Sequence, residues 1–289
     1  MSSSSVYLQR YSEYLQLRNY SIGTHKQYVD ALRLFFDYCR MPHVDSMSYQ
    51  DHARSYILEI QRSGISWSTI NIRYSSIKLF CTKILKESWD IDHLPRPKKS
   101  KRYPRILSQK EVVKLIEAPT NFKHRVVIAF LYATGLRISE ALHVKLSDVD
   151  GDRLELFVRQ GKGKKDRIVN IPEQLLVLLR VYYKRFKPKE YLFEGGTKGQ
   201  SYAGASIRRI IRGAKRLAKI KKHVSPHTLR HCYATHHLEN GTDLVYLKEQ
   251  LGHSKLMTTA KYIHLCQKRQ RHINHPFERL TINIHRKTT

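Results

Sequence analysis

The sequence is poor in acidic residues, and this shortage is its strongest bulk feature. It holds 24 aspartates and glutamates against 53 lysines and arginines, which gives a net charge of +29 at pH 7. Such a charge favours a polyanionic partner, because the chain would otherwise only repel itself. Nucleic acid is the natural candidate. An acidic membrane surface is the rival, but no basic amphipathic helix with an aromatic face stands out.

Cysteines and long apolar runs are also scarce. The longest apolar run, Val126–Ala133, is far too short to span a bilayer. The N-terminus has no basic region followed by an apolar one, so we expect no export signal, no membrane partner and a cytoplasmic protein. No C-x-x-C pair is present, which argues against a disulfide framework and a zinc module. The widely spaced cysteines are Cys39, Cys81, Cys232 and Cys266.

Length and charge distribution indicate two domains. The chain has 289 residues, 41% of them hydrophobic, which suffices for two folded cores. Residues 1–92 are nearly neutral, whereas residues 93–105 carry six basic residues and no acidic one. We therefore predict an N-terminal domain over residues 1–92, a linker over 93–107 and a second domain over 108–289.

The linker is rich in proline as well as in basic residues. Three prolines among residues 93–105 oppose a helix and favour an extended chain. We expect its cations to lie along nucleic-acid phosphates, with an ordinary solvated linker as the alternative. These cations are Arg96, Lys98, Lys99, Lys101, Arg102 and Arg105.

Hydrophobic periodicity predicts a mainly α fold. From Val6 to about Lys86 apolar residues recur at helical spacing, which predicts a small helical bundle with one helix starting at Ser21. In the second domain Ser108 and Glu111 form a capping-box pattern that opens a helix. The remainder of that domain reads as mostly helical.

Two predicted helices flank Arg137. The helix over His124–Thr134 is predicted to end at Gly135, and Ser139 is predicted to cap the next helix. Arg137 would then project freely from the turn between them.

A β-hairpin is predicted further along. Residues 154–160 and 167–171 each alternate apolar and polar side chains, and a glycine-containing basic turn joins them. Lys162 is expected near its tip, and this hairpin supplies the one small antiparallel sheet of the fold.

Four motifs suit chemistry on a phosphate. They are ATGLRISE over 133–140, SPHTLRH over 225–231, LGH over 251–253 and KYIH over 261–264. Cleaving a phosphodiester needs a nucleophile, neutralisation of the charge on the phosphoryl oxygens and a proton for the leaving oxygen. Arginine forks can neutralise that charge, and a tyrosine hydroxyl can attack phosphorus.

The sequence gives little support for a metal-dependent mechanism. The acidic cluster Asp148–Asp152 is interpreted as a solvated turn. His227 and His231 stand four apart, as zinc ligands can, but the glutamate of an H-E-x-x-H motif is missing and Arg230 would oppose a cation. We therefore expect no metal site.

In this order and spacing, the four motifs resemble those of the tyrosine recombinases, the phage-integrase family. The resemblance implies that Arg137 and Arg230 bind the phosphate and that Tyr262 is the nucleophile. Tyr233 and Tyr246 are nearby rivals for that role.

The resemblance also assigns roles to the remaining site residues. His227 would accept the tyrosine proton or bind the phosphate, and His253 would donate to the phosphate or orient the nucleophile. Glu140 would orient a neighbouring catalytic side chain. Lys162 would protonate the leaving 5′ oxygen. Two adjacent lysines compete for that role and otherwise bind DNA; they are Lys164 and Lys165.

As a whole, the resemblance implies a SAM-like helical core-binding domain followed by a catalytic domain. The expected activity is site-specific recombination of double-stranded DNA through a 3′-phosphotyrosine and a Holliday junction, without metal, ATP or other cofactor. The expected assembly is a nucleoid-associated homotetramer that exchanges C-terminal tails (residues 265–280). Accessory DNA-bending proteins or a partner recombinase are the further partners that the resemblance implies.

Three other functions compete with this interpretation. They are a type IB topoisomerase-like nicking and closing enzyme, a DNA-binding regulator without catalysis, and a structural RNA-binding protein. The complete set of motif residues argues against a regulator without catalysis. A structural RNA-binding protein would explain the charge but not the order of the motifs. Within the family, Xer-like enzymes and mobile-element integrases share these motifs.

Overall fold

The computed structural model describes residues 3–39, 48–98, 105–159 and 166–266. The chain divides into two compact units, Met1–Arg102 and Tyr103–Thr289. Across the described residues, no helix combines the length and hydrophobicity that a membrane crossing requires.

The first unit is a helical bundle. Its helices are α1 (Ser3–Leu17), α2 (Ile22–Cys39), α3 (Tyr49–Arg62) and α4 (Trp67–Phe80), and α4 continues as a π-helical turn over Cys81–Leu85. The predicted start of α2 is confirmed, because the Ser21 hydroxyl accepts the backbone N–H of Thr24 at 3.3 Å. The apolar stripes read from the sequence pack into one core that includes Tyr11, Leu32 and Ile77.

Residues 93–98 of the predicted linker fold with the first unit. Leu94 is buried in the core of the bundle. Its carbonyl accepts the Tyr74 hydroxyl at 3.0 Å, and the carbonyl of Pro97 accepts the Trp67 indole N–H at 3.1 Å. Backbone carbonyls paired in this way anchor the segment to α4.

The linker cations that the structure describes differ in their contacts. Arg96 donates from Nη2 to the Ser75 hydroxyl at 2.9 Å and lies 5.3 Å from the centre of the Tyr74 ring. Lys98 and Arg105 are exposed. Three others fall outside the described residues: Lys99, Lys101 and Arg102.

The second unit is mostly helical. It contains α5 (Gln109–Glu117), α6 (Phe122–Thr134), α7 (Ile138–Leu142), α8 (Glu173–Phe186), α9 (Gly204–Leu217), α10 (Pro226–Glu239), α11 (Leu244–Leu251) and α12 (Leu256–Ala260). The predicted capping box is present at the start of α5. Ser108 Oγ accepts the N–H of Glu111, and Glu111 Oε2 accepts the N–H of Ser108.

A three-stranded antiparallel sheet interrupts the helices, in the order β1 (Val149–Asp150), β2 (Glu155–Val158) and β3 (Arg167–Asn170). The predicted hairpin is confirmed in β2 and β3, where Glu155 pairs with Asn170 and Val158 with Arg167. The joining residues 160–165 lie outside the described residues.

A buried helix forms the centre of this unit. Val126, Val127, Phe130 and Leu131 are fully or almost fully buried on α6, which packs against α5, α8, α9 and α10. Because α6 is apolar on most of its surface, it is surrounded by other helices and its C-terminal end is fixed in place. The segments that contain Arg137 and Arg230 meet at that end, where Arg230 donates to the carbonyl of Gly135.

Gly135 ends α6 as the sequence predicts. Its φ is +59°, a left-handed conformation that glycine adopts without strain. A Cβ at this position would also lie only 2.4 Å from Cδ1 of the buried Tyr233. Conformation and packing therefore both require glycine here.

We predict that Gly135→Ala destabilises the protein by about 3 kcal/mol, because it combines left-handed strain with overpacking of a buried ring. Urea unfolding followed by circular dichroism measures the change. Gly241→Ala is the matched control, since Gly241 has φ +84° but a Cβ added there would meet nothing within 4 Å. It should cost about 1 kcal/mol from strain alone. Equal costs for the two variants would contradict the packing argument.

Candidate active site

Arg137 is the N-cap of α7, shortly after the end of α6. The sequence prediction that Ser139 caps this helix and that Arg137 projects freely is wrong. The backbone N–H of Arg137 donates to Oε2 of Glu140 at 2.9 Å, and its Nη1 donates to Oε1 at 2.7 Å. The carboxylate at the third helical position thus fixes both the backbone and the guanidinium of Arg137.

Glu140 is the acidic centre of the site, and its side chain is 4% exposed. Besides Arg137, it accepts two hydrogen bonds from Arg167, at 3.1 Å and 2.8 Å. Nη1 of Arg230 lies 3.9 Å from Oε2. Burial alone would raise the pKa of Glu140, but hydrogen bonds and charge from Arg167, with hydrogen bonds from Arg137, lower it to about 2.

Arg230 lies on α10 and is 3% exposed. Its Nη1 donates to the carbonyl of Gly135 at 2.7 Å, and its Nη2 donates to the carbonyl of Leu251 at 2.6 Å. These carbonyls lie at the C-terminal ends of α6 and α11, where helix dipoles favour a cation. Burial, and then the charge of Arg137, lowers the pKa of Arg230 to about 10, so the guanidinium remains charged at neutral pH.

His253 follows α11 beside Arg230. Its Nε2 lies 3.1 Å from Nη2 of Arg230, and its Nδ1 lies 2.9 Å from the Thr259 hydroxyl. The preceding Gly252 ends α11 with φ +60°, and its carbonyl accepts Nη2 of Arg137 at 3.4 Å. The Leu-Gly-His motif therefore places a histidine and a helix-end carbonyl next to both arginines.

His227 lies in the first turn of α10 and is exposed to solvent. Desolvation by the surrounding protein, followed by the positive charges of Arg230 and Arg137, lowers its pKa. The imidazole is therefore neutral at pH 7 and lies within the field of the arginine pair.

Tyr262 follows α12 and is 6% exposed. Its ring is nearly parallel to that of His253, with 6.4 Å between centroids and an angle of 10°. Its hydroxyl oxygen lies 3.0 Å from Nδ1 of His231. Burial raises the pKa of Tyr262, while the nearby charges of Arg230 and Arg137 oppose that rise. The resting hydroxyl is thus protonated.

The two rival tyrosines occupy different environments. Tyr233 is 4% exposed and packs against Gly135, and burial raises its pKa to about 12. Tyr246 is 40% exposed on α11. Among the described residues, Tyr262 is the one of these three tyrosines whose hydroxyl contacts His231, the neighbour of Arg230 on α10.

The sequence motifs miss two residues of the site. Arg167 reads there only as the first residue of a strand, and its ion pair with Glu140 crosses 27 positions of chain. His231 reads only as a potential zinc ligand. The signal that could have found it is its position one turn after His227 on the same helix. The predicted general acid lies outside the described residues, as do its competitors; these are Lys162, Lys164 and Lys165.

The interpretation of residues 148–152 as a solvated turn is wrong for Asp148. This residue is 3% exposed, and its buried carboxylate accepts the backbone N–H of Lys145 at 2.9 Å and Nε of Arg159 at 2.9 Å. Asp150 and Asp152 are exposed. Within the part of the chain that the structure describes, no three histidine, cysteine or acidic side chains form a metal-holding group.

The chain is similar to known families and proteins over most of its length. Residues 105–269 match the Phage integrase family, and residues 7–91 match the Phage integrase, N-terminal SAM-like domain. Tyrosine recombinase XerC of Bacillus subtilis is 32% identical over 92% of this chain and 94% of its own length. Tyrosine recombinase XerA of Pyrococcus furiosus is 33% identical over 96% of this chain and 95% of its own.

A solved structure shares the fold. The crystal structure of the XerH site-specific recombinase bound to its difH substrate has a TM-score of 0.68 and 20% identity, covering 90% of this chain and 82% of that one. The chain belongs to the phage integrase family and is a tyrosine-type site-specific DNA recombinase. The predicted family, mainly α fold class and enzyme class are thereby confirmed.

We predict that Glu140→Gln destabilises the protein in a pH-dependent way. A pKa lowered from 4.5 to about 2 means that ionised Glu140 adds about 3 kcal/mol of stability at neutral pH. This contribution is complete above the unfolded-state pKa and is lost as pH falls through the folded-state pKa. Urea unfolding should show the wild-type advantage shrinking to about 1 kcal/mol near pH 3.

Glu190→Gln is the control for this prediction. Glu190 pairs with Lys145 on the surface, where the two side chains are 49% and 43% exposed. Its substitution should cost less than about 1 kcal/mol at either pH. A Glu140→Gln cost that does not change with pH would contradict the buried, ionised carboxylate.

Proposed function

We propose that Tyr262 attacks a DNA phosphodiester held by Arg137 and Arg230, forming a 3′-phosphotyrosine and releasing a 5′ hydroxyl. The observation that carries this proposal is the placement of the Tyr262 hydroxyl beside an imidazole and within the field of both arginines. Preorganised cations of this kind stabilise the charge that develops on phosphoryl oxygens in the transition state.

Each arginine has a defined role in this proposal. Arg230 is held at helix ends by the carbonyls of Gly135 and Leu251, and Arg137 is held by Glu140. Because their forks are already fixed, little reorganisation accompanies phosphate binding. Glu140 orients both arginines. His253 contacts the Arg230 guanidinium through Nε2, and its ring lies beside that of Tyr262.

His227 acts as a further phosphate ligand. It stands in the first turn of α10, open to solvent and near both arginines. The Tyr262 hydroxyl contacts a different histidine. Lys162 is the proposed general acid for the leaving oxygen, with Lys164 and Lys165 as its alternatives.

Double-stranded DNA is the proposed partner. The net charge of +29 supports it, and the XerH site-specific recombinase was solved bound to its difH substrate. We propose a core-binding domain over 1–92, a linker over 93–107 and a catalytic domain over 108–289. The enzyme acts in the cytoplasm as a homotetramer that exchanges C-terminal tails and passes through a Holliday junction, without metal or ATP.

The linker cations are proposed to contact DNA phosphates. Lys98 and Arg105 are exposed and therefore accessible to a duplex. Arg96, which donates to Ser75, can contribute its remaining N–H groups. Binding should accordingly weaken as salt rises.

We predict that wild-type protein forms a covalent adduct with DNA in EDTA and that Tyr262→Phe forms none. Fragmented genomic DNA of the source organism serves as the probe, and SDS denaturation followed by sequencing recovers the attached strands. Tyr233→Phe and Tyr246→Phe are the controls and should retain the adduct. An undiminished adduct from Tyr262→Phe would overturn the assignment of the nucleophile.

The general acid can be identified by replacing each candidate lysine in turn. Replacing the true acid among Lys162, Lys164 and Lys165 by alanine should slow cleavage by about 10²-fold or more. Cleavage should recover on DNA with sulfur in place of the bridging 5′ oxygen. A thiol is far more acidic than an alcohol, as the cysteine pKa of about 8.5 illustrates, so a thiolate can leave without being protonated. Loss of activity without recovery on the sulfur substrate, for all three variants, would show that none is the acid.

A further inference from the structure

The Tyr262 hydroxyl and His231 form a pair to which the family motifs assign no role. Nδ1 of His231 lies 3.0 Å from Oη of Tyr262, and the two ring centroids are 5.5 Å apart. Tyr262 belongs to a small apolar cluster with Tyr233, Leu247 and Leu251. This packing leaves the phenol little freedom to move away from the imidazole.

The surroundings favour a neutral imidazole at this position. Burial first, then unfavourable electrostatic interaction with the His227 and Arg230 side chains, lowers the pKa of His231 to about 4. Tyr262 also lies within electrostatic reach of Arg137 at the start of α7, which pairs with Glu140, and its ring lies near that of His253 after α11. A neutral imidazole has one ring nitrogen without a proton, and Nδ1 can be that nitrogen when Nε2 carries the hydrogen.

The tyrosine needs such a base. Because burial raises its pKa, the hydroxyl does not ionise spontaneously near neutral pH. His227 has a similar preference for the neutral form, but it stands one helical turn earlier and in solvent. Geometry therefore separates the two histidines of α10: one lies near the phosphate-binding arginines, and the other contacts the nucleophile.

We propose that His231 is a catalytic residue that accepts the Tyr262 proton at Nδ1 during DNA cleavage. As Oη bonds to phosphorus, its proton passes to Nδ1, the bond from phosphorus to the 5′ oxygen breaks, and the general acid protonates that oxygen. In rejoining, the 5′ hydroxyl attacks phosphorus and returns its proton to the general acid, the phosphotyrosine bond breaks, and His231 returns its proton to Oη. This inference rests on the proposed nucleophilic role of Tyr262.

The test measures single-turnover cleavage against pH for wild type, His231→Gln and His227→Gln. The probe is a duplex that wild-type protein captures covalently from genomic fragments. Glutamine can keep a hydrogen bond to the tyrosine but cannot accept its proton, so His231→Gln should cleave about 10²-fold more slowly near neutral pH. Gel shift should show unchanged DNA binding, and circular dichroism should show an unchanged fold.

The pH profile separates proton acceptance from mere positioning. Wild type should cleave at a nearly constant rate from about pH 6 to about pH 8, because His231 is neutral and Tyr262 is protonated throughout. In His231→Gln the reaction must pass through free phenolate, so its rate should rise about tenfold per pH unit. His227→Gln should be slower but keep the flat profile.

Two results would overturn the inference. They are a His231→Gln variant with the wild-type rate, and one whose slower rate keeps a flat profile. His231→Ala is a third variant, which controls for any effect of the glutamine side chain on the fold. It should show the same rising profile. Failure of the nucleophile assignment is distinct, because it would appear as an adduct formed by Tyr262→Phe under the same conditions.

Discussion

One buried carboxylate holds the charged part of this site together. Three arginines converge on Glu140, two of them through direct hydrogen bonds, and the carboxylate itself is almost fully enclosed. Several guanidinium groups at such proximity would repel one another and would suffer a large desolvation penalty without a partner. Glu140 offsets part of the repulsion and fixes the forks, while the remaining positive charge is left for an anionic ligand.

Helix ends supply the second constraint. Gly135 and Gly252 terminate α6 and α11 in the left-handed conformation, and the carbonyls of Gly135, Leu251 and Gly252 accept hydrogen bonds from the arginines. The position of the arginines therefore depends on how these helices pack in the core. Core packing, helix termination and the proposed phosphate chemistry are coupled here, since a shift of either helix end would move the arginines that we propose as phosphate ligands.

Much of this arrangement can be predicted from sequence because it depends on short-range signals. The left-handed stop at Gly135, the capping box at Ser108 and the spacing of His253 and Tyr262 are local patterns, and the helices and hairpin follow from periodicity. Arg167 and His231 could not be assigned roles in this way, because their partners lie 27 and 31 positions away and are brought close by tertiary packing.

The same limit explains the burial of Asp148. Its buried carboxylate is paired with Arg159, eleven positions later in the chain, whereas composition alone suggests a solvated turn. The site depends on the ionised, arginine-bound state of Glu140, which a carbon-13 NMR titration of its carboxyl carbon measures, with Glu140→Gln identifying the signal. We expect that this carboxyl does not titrate between about pH 7 and about pH 3. A midpoint near the ordinary glutamate value of about 4.3 would contradict it.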